Sequence, residues 1–200
     1  MAREVAIIDS GGANITSLRF ALERLGARST VTSDPAVIGA ASHVILPGVG
    51  AAANAMARLR DYGLDALIPK LTQPVLGICL GMQLLADASE EDRADCLGVV
   101  PGASAQLVAS PQSPVPNMGW CPLENMVTHP LLDGISAGEW FYFVHSYALP
   151  PTDYTLAEAS HTRSFTAVLA QGNFMATQFH PERSAKSGAK ILGNFLEMAA

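Results

Sequence analysis

Cys79, His180 and Glu182 are the side chains in this sequence whose types and spacing best suit a chemical reaction. A thiolate attacks as a nucleophile, an imidazole takes up the thiol proton, and a carboxylate holds that imidazole in one tautomer and stabilises its cation. Only Pro181 separates His180 from Glu182, and its ring stiffens the turn that keeps the carboxylate beside the imidazole. The set predicts covalent attack on a carbonyl group.

Cys79 lies where the strand pattern of Val75 to Ile78 changes to a helical pattern that runs from Gly81 to Ala88. A thiol at such a corner lies at the positive end of a helix dipole, which favours the thiolate. Glycines stand two residues before and two residues after it, and we expect them to let backbone and substrate approach closely. This is the arrangement of a nucleophile elbow, with sulfur in place of the serine oxygen. The alternative is a buried structural cysteine.

Attack on a carbonyl creates an oxyanion, which needs backbone donors. The elbow geometry supplies one from the N–H of Leu80, the residue after the nucleophile. The segment Pro47-Gly48-Val49-Gly50 is the candidate for the second, because glycine adopts backbone angles that are closed to other residues. A plain turn is the alternative for this segment.

The elements that must position these residues alternate between strand and helix. Short apolar strands are predicted at Val5–Ile8, Arg28–Thr32, Val44–Leu46 and Val75–Ile78. The turn Ser10-Gly11-Gly12-Ala13-Asn14 leads into the first helix, and further helices are predicted between the later strands. We therefore predict an α/β, three-layer, doubly wound fold with a mostly parallel central sheet and helices on both faces.

The second half of the chain has a different hydrophobic pattern. Residues 98–170 are broken by prolines into short runs, which predict a small antiparallel extension at one side of the sheet. A strand is predicted over 174–179 and a closing amphipathic helix over 187–198. The carboxyl ends of parallel strands carry ligand sites in such sheets, and both Cys79 and His180 follow a strand.

Composition narrows the class of protein. The chain has 200 residues, 49% of them hydrophobic, and a mean hydropathy of +0.24, which predicts a single domain over residues 1–200. The net charge of −6 and the lack of basic runs argue against nucleic acid as a partner. The two long uncharged stretches are interrupted by proline and glycine, so no membrane-spanning helix is expected.

Cysteine and histidine spacing bears on metals and on compartment. The three cysteines, Cys79, Cys96 and Cys121, have no metal-ligand spacing, and no two histidines stand at helical ligand spacing. We expect neither a metal nor another cofactor. The N-terminal segment has no secretory pattern, so we expect reduced thiols and a cytoplasmic location. Cys96 and Cys121 are interpreted as structural.

Two motifs resemble a known family. Gly77-Ile78-Cys79-Leu80-Gly81-Met82-Gln83, together with Gln178-Phe179-His180-Pro181-Glu182, resembles the class I (triad) glutamine amidotransferases. Within that class the resemblance is to the glutaminase subunits of imidazole glycerol phosphate synthase, of histidine biosynthesis. The segments that carry it are residues 47–50, 118–120 and 141–147.

The resemblance implies hydrolysis of glutamine to glutamate and ammonia by a triad of Cys79, His180 and Glu182. It also implies that Gln83 helps to bind glutamine and that the backbone amides of Gly50 and Leu80 serve the oxyanion. The implied partner is a (β/α)₈-barrel cyclase subunit that forms a heterodimer with the chain. That subunit uses the ammonia to make imidazole glycerol phosphate and an aminoimidazole carboxamide ribonucleotide.

Five positions depart from the pattern usual in that family, and one of them is Ala13, which stands in place of glycine. Asn117 and Cys121 stand where histidine and asparagine are common around Met-Gly-Trp, Arg183 stands where lysine is usual, and Ser10 stands in place of tyrosine. They spare the predicted triad but touch segments expected near the partner.

Other functions remain open from the residues alone. The alternatives are the glutaminase subunit of another class I amidotransferase, a cysteine peptidase or γ-glutamyl hydrolase, and a non-catalytic regulatory protein on the same fold.

Overall fold

The computed structural model describes residues 3–11 and 15–199, so Gly12-Ala13-Asn14 of the predicted first turn lies outside the described residues. The α-helices are α1 (Ile15–Arg24), α2 (Pro35–Ala40), α3 (Ala52–Asp61), α4 (Leu64–Leu67), α5 (Leu80–Leu84) and α6 (Ala185–Glu197). The first strands are β1 (Glu4–Ile8), β2 (Arg28–Thr32), β3 (His43–Gly48), β4 (Val75–Cys79), β5 (Ala86–Ser89), β6 (Ala94–Asp95) and β7 (Val100–Gln106). The later strands are β8 (Asn117–Pro122), β9 (Trp140–His145), β10 (Tyr147–Ala148), β11 (Thr155–Ser160), β12 (Ser164–Gln171) and β13 (Phe174–Thr177).

Seven of the described strands form the central sheet, in the order β11-β12-β13-β4-β3-β1-β2. The pairings from β13 across to β2 are parallel, while β11 and β12 add antiparallel strands at one edge. The predicted α/β fold with a mostly parallel sheet is confirmed. Every residue of β3 and of β4 is buried, as expected for central parallel strands that are covered on both faces.

Alternate residues of the strands face opposite hydrophobic layers. Ile7 of β1 packs in the layer that contains Phe195 of α6, whereas Ile8 packs in the layer that contains Met56 of α3. The period of two along each strand separates these layers, and helices close both of them. Helices α1 and α6 therefore cover one face of the sheet, and α3 and α5 cover the other.

The segment between β4 and β11 forms smaller sheets beside the central one. Strands β10, β7, β5 and β6 form a four-stranded sheet that contains one parallel pair, and β8 pairs antiparallel with β9. The prediction of antiparallel strands in residues 98–170 is therefore confirmed in part, because only β11 and β12 extend the main sheet.

Four predicted boundaries are wrong, and one of them is that of the closing helix, which is predicted over 187–198 and spans Ala185–Glu197. The helix after Cys79 ends at Leu84, and 86–89 is strand β5, because the backbone N–H groups of Leu97, Gly98 and Val100 bond to the carbonyls of 84–86. Strand β3 continues through Gly48, which pairs with Cys79, so only residues 49–51 connect β3 to α3. The last strand of the sheet ends at Thr177 rather than at Phe179.

Across the described ranges, no helix is long and apolar enough to cross a membrane.

Candidate active site

Cys79 is the last residue of β4 and directly precedes α5, with φ 54° and ψ −109°. A positive φ is strained for a residue with a side chain, and such strain is common where a nucleophile is presented on a sharp turn. The predicted strand-to-helix corner is therefore present.

The glycines around this corner serve packing. A Cβ atom on Gly81 would lie 1.8 Å from the carbonyl oxygen of Leu46, and one on Gly77 would lie 2.9 Å from the carbonyl oxygen of Gly81. A Cβ on Gly48 would lie 2.9 Å from the Leu80 Cβ. The close backbone approach expected at the two flanking glycines is confirmed, because they let α5 sit directly on the backbone of β3 and β4.

His180 and Glu182 form a buried pair just after β13. The Nδ1–H of His180 donates to Glu182 Oε1 over 2.9 Å, and the two side chains are 10% and 3% exposed. The His180 backbone N–H donates to the Tyr142 carbonyl, and Ser184 Oγ donates to the His180 carbonyl. These bonds hold the backbone that carries the imidazole, and the bond to Glu182 orients the ring.

The electrostatics favour an imidazolium at His180. Burial lowers the pKa of the ring, but hydrogen bonds with Cys79 and Glu182, and the charges of both groups, outweigh it and raise the pKa to about 10. In its neutral form the Cys79 thiol donates to the Val144 carbonyl at 3.5 Å, and Gln178 Nε2 donates to the sulfur at 3.7 Å. The sulfur therefore has both an acid–base partner and neutral polar neighbours.

A cavity of about 320 Å³ opens beside the sulfur. The residues that line it are Val49, Gly50, Cys79, Leu80, Gln83, Glu91, Pro116, Val144, His145, Ser146, Tyr147, His180 and Arg183. Five of the six predicted site residues thus meet at one cavity, and the sixth, Glu182, lies behind His180. Leu80 begins α5, and Gly50 has φ +87°, as predicted for a glycine that uses angles closed to other residues.

Gln83 is part of the cavity wall. Its Nε2 donates to the Tyr147 carbonyl at 2.8 Å and to Gln178 Oε1 at 3.1 Å, and its side chain is buried. Gln178 in turn reaches the sulfur of Cys79. The predicted substrate-binding glutamine is therefore held in a polar chain that leads to the nucleophile.

Sequence reasoning missed two features of the cavity. Glu91 resembles a surface acid, because it lies in the charged run Glu90-Glu91-Asp92, and only the fold brings it to the wall. Tyr147 contributes a backbone carbonyl, which no side-chain pattern reveals. Gln178 had a signal, since it belongs to the same motif as His180.

Asn117 and Cys121, which differ from the residues usual in the family, contact one another. Asn117 Nδ2 donates to His145 Nε2 at 3.1 Å, and the Cys121 thiol donates to Asn117 Oδ1 at 3.7 Å. His145 Nδ1–H donates to the Tyr147 carbonyl at 2.9 Å, so the ring is a neutral tautomer. Burial lowers the pKa of His145 to about 4, which keeps it uncharged.

Comparisons with known proteins agree with this geometry. Residues 6–199 match the family described as Glutamine amidotransferase class-I. The chain is 50% identical over 194 residues to "Imidazole glycerol phosphate synthase subunit HisH 2" of Legionella pneumophila (strain Paris), covering 97% of this chain and 98% of that protein. It is 47% identical over 204 residues to the HisH subunit of Vibrio cholerae, covering 99% of this chain and 100% of the other.

Solved structures share the fold at low sequence identity. A putative GMP synthase component from Thermoplasma acidophilum has a TM-score of 0.74 at 18% identity, covering 98% of this chain and 93% of that chain. A glutamine amidotransferase crystal structure has a TM-score of 0.73 at 19% identity, covering 96% and 97%. The family match and the near-full-length relatives together show that this chain belongs to the class I glutamine amidotransferases, in the group of HisH subunits of imidazole glycerol phosphate synthase.

Proposed function

We propose that this chain is the glutaminase subunit of an imidazole glycerol phosphate synthase and that it hydrolyses glutamine through a thioester on Cys79. The main observation in support is the buried His180–Glu182 pair, whose hydrogen bond is 2.9 Å long. His180 is also hydrogen-bonded to the Cys79 sulfur, and both residues line one cavity. The near-full-length HisH relatives support the same activity.

The chemistry proceeds in two acyl transfers. The thiol proton of Cys79 passes to His180, and the thiolate attacks the side-chain amide carbon of glutamine. His180 returns the proton to the leaving nitrogen, so ammonia departs and a thioester remains. A water molecule then gives a proton to His180 and attacks the thioester, which releases glutamate and restores the thiol. Glu182 stays ionised and stabilises the imidazolium in both halves.

The oxyanion that forms in each half is assigned to two backbone donors, the N–H groups of Leu80 and Gly50. Both residues line the cavity with the sulfur. Within the described residues, the Gly50 N–H takes part in no hydrogen bond, so it is free to bind a substrate oxygen. Each such donor is typically worth about 3 kcal/mol in the transition state.

Charged side chains on the cavity wall suit a free amino acid. Glu91 supplies a carboxylate for the substrate ammonium, and Arg183 supplies a guanidinium for the substrate carboxylate. The Arg183 guanidinium lies over the Tyr142 ring, 4.6 Å from its centroid, which holds it at the rim. Gln83 also lines the cavity and is the third side chain proposed to bind glutamine.

The β8–β9 hairpin is the proposed docking surface for the partner, a (β/α)₈-barrel cyclase subunit that would form a heterodimer with the chain. Its outer face exposes Met118 (65%), Trp120 (44%) and Trp140 (57%), a combination typical of protein interfaces. The same hairpin carries Val144, whose carbonyl accepts the Cys79 thiol. Ammonia released at the cavity would therefore arise beside the bound partner.

The cyclase would use this ammonia to make imidazole glycerol phosphate and an aminoimidazole carboxamide ribonucleotide. We propose that the chain acts as one domain over residues 1–200, because residues of the proposed site follow strands of one sheet. A cytoplasmic location fits the reduced state of Cys79, Cys96 and Cys121.

The test separates the ammonia source from the synthase reaction. In the complex with its cognate cyclase, Cys79→Ala and His180→Ala are expected to lower the rate of glutamine-dependent synthesis about 10⁴-fold, while ammonia-dependent synthesis persists. Cys96→Ala is the matched control, because burial raises the pKa of the Cys96 thiol to about 11 and it lies outside the cavity. Loss of both activities in the Cys79 variant would contradict the division of labour.

Growth tests distinguish the competing acceptors. The chain is expected to restore growth of a histidine-requiring strain that lacks its own glutaminase subunit. Restoration of tryptophan or purine growth alone would favour another amidotransferase. Absence of glutamate release even with the cyclase bound would favour a non-catalytic protein, and cleavage of peptides would favour a peptidase.

A further inference from the structure

The segment Val49-Gly50-Ala51 is tied at both ends by side chains from elsewhere in the fold. On its N-terminal side, Ser10 Oγ donates to the Pro47 carbonyl at 2.5 Å. On its C-terminal side, Glu91 Oε2 accepts the backbone N–H of Ala52 at 2.9 Å. Ala52 is the first residue of α3, so these two bonds bracket the segment that carries Gly50.

Ser10 is itself fixed in place. It is 5% exposed, and its backbone N–H donates to the Ile8 carbonyl at 3.0 Å. The preceding residue, Asp9, accepts two bonds from Arg58 of α3, one at its carbonyl and one at its carboxylate. The end of β1 is thereby joined to the same helix that follows Gly50, and the hydroxyl has a fixed point from which to hold Pro47.

Glu91 reaches both the segment and the cavity. Glu91 is one of the residues that line the cavity, and one of its carboxylate oxygens accepts the first N–H of α3. A carboxylate at a helix N-terminus satisfies a backbone donor that has no partner within the helix. One side chain is therefore shared between the substrate-binding space and the segment beside it.

We propose that Ser10 and Glu91 are positioning residues that hold the Gly50 N–H at the proposed oxyanion site, an inference that rests on the glutaminase activity proposed above. Neither side chain touches the reacting atoms in this role. Ser10 fixes where the segment leaves β3, and Glu91 fixes where it enters α3. The backbone between these two points is too short to move Gly50 far without breaking one of the bonds.

Ser10 variants provide the first measurement, made on the complex with the cyclase. Ser10→Ala is expected to lower kcat for glutamine hydrolysis about tenfold with KM changed less than twofold. The reason is that the Gly50 N–H is proposed to bind the oxyanion, which exists in the transition state and not in the bound substrate. Ser10→Thr keeps the hydroxyl and should restore most of kcat. Ser42→Ala is the matched control, since Ser42 Oγ also donates to a backbone carbonyl, that of Glu4, away from the cavity.

Alkylation of Cys79 separates positioning from loss of fold. Iodoacetamide reacts with a thiolate by direct displacement at carbon and forms no oxyanion. The rate of Cys79 alkylation in Ser10→Ala should therefore stay within twofold of the wild-type rate. Equal slowing of alkylation and glutamine turnover would show general disorder of the site and overturn the assignment. An unchanged kcat in Ser10→Ala would also overturn it.

Glu91 variants test the second tie. Glu91→Gln keeps an acceptor for the Ala52 N–H, so it should raise KM while kcat stays within about threefold. Glu91→Ala removes the acceptor and should lower kcat about tenfold as well. Equal kcat in the two variants would remove Glu91 from the positioning role. Wild-type complex that releases no glutamate would instead refute the proposed glutaminase function, independently of any variant.

Discussion

The two backbone segments that meet at the cavity are held in opposite ways. A Cβ atom on Gly81, beside Cys79, would lie 1.8 Å from the Leu46 carbonyl oxygen, whereas a Cβ on Gly50 would meet nothing within 4 Å. Leu80 is therefore fixed by close packing of α5 on the sheet, and Gly50 is held by hydrogen bonds at the ends of its segment. Close-packed interiors resist displacement, so we expect backbone adjustment at the cavity to occur more readily at Gly50, where it requires one of these hydrogen bonds to break, than at Leu80.

Gly81→Ala tests the packed segment and has the largest expected effect. The new methyl group has no space against the backbone of β3, so the free energy of unfolding should fall by about 3 kcal/mol or more. Urea denaturation measures it. Gly39→Ala is the control, because Gly39 lies in α2 with nothing within 4 Å of its Cβ position and alanine favours helix. Wild-type stability in Gly81→Ala would show that the corner is not locked.

Gly50→Ala tests the open segment. Its φ of +87° is unfavourable for alanine, so the unfolding free energy should fall by about 1 kcal/mol, while kcat for glutamine should fall about 10²-fold because the proposed oxyanion donor moves away. Gly26→Ala is matched to it, since Gly26 has φ +79° and nothing within 4 Å of its Cβ position. It should show a similar stability loss and an unchanged kcat. A fully active Gly50→Ala enzyme would contradict the role given to this segment.

The two histidines that line the cavity have pKa values shifted in opposite directions. His180 has its pKa raised to about 10, and His145 has its pKa lowered to about 4. Ring nitrogen chemical shifts between pH 5 and pH 10.5 are the direct measurement: His180 should lose its proton near the top of this range, and His145 should stay neutral throughout. Glu182→Gln should lower the His180 pKa and leave that of His145 in place.

The same shifts set the pH dependence of stability. The His180 contribution is fully present below its unfolded pKa of about 6.5 and is lost as the pH rises through about 10, because the native state binds the extra proton. His145 acts oppositely, and stability falls as the pH drops from about 6.5 toward 4, since the unfolded chain then binds a proton that the native ring does not. Denaturation of His180→Gln beside wild type at pH 6 and 9 isolates the first contribution.

Local patterns in the sequence predicted the elements around the site because those elements follow local rules. Strand β4, the corner at Cys79 and the turn that carries His180 and Glu182 are all set by residues within a few positions of one another. The family resemblance, and not periodicity, supplied the specific roles of Gln83 and Gly50.

What sequence reasoning missed depends on distant contacts. The helix predicted over 81–88 is cut short because residues 97–100 take its carbonyls, which overrides local helical preference. Glu91 reaches the cavity, and Ser10 reaches the Pro47 carbonyl, only through the tertiary fold. The packing role of Gly81 likewise becomes visible only when α5 is laid against β3.

Asn117→Leu has the smallest expected effect on catalysis, because it loosens the cavity wall formed by β9 and contacts neither of the two proposed backbone donors. It removes the donor to His145 Nε2 and leaves a buried acceptor unpaired, which should lower the unfolding free energy by about 1–2 kcal/mol. With Leu80 and Gly50 still held, kcat should stay within about threefold of wild type. Cys121→Ala is the control, because it removes the weak thiol donor to Asn117 and leaves the bond between Asn117 and His145 in place. A tenfold loss of kcat in Asn117→Leu would mean that the β9 wall, through the Val144 carbonyl at the sulfur, also sets the reaction rate.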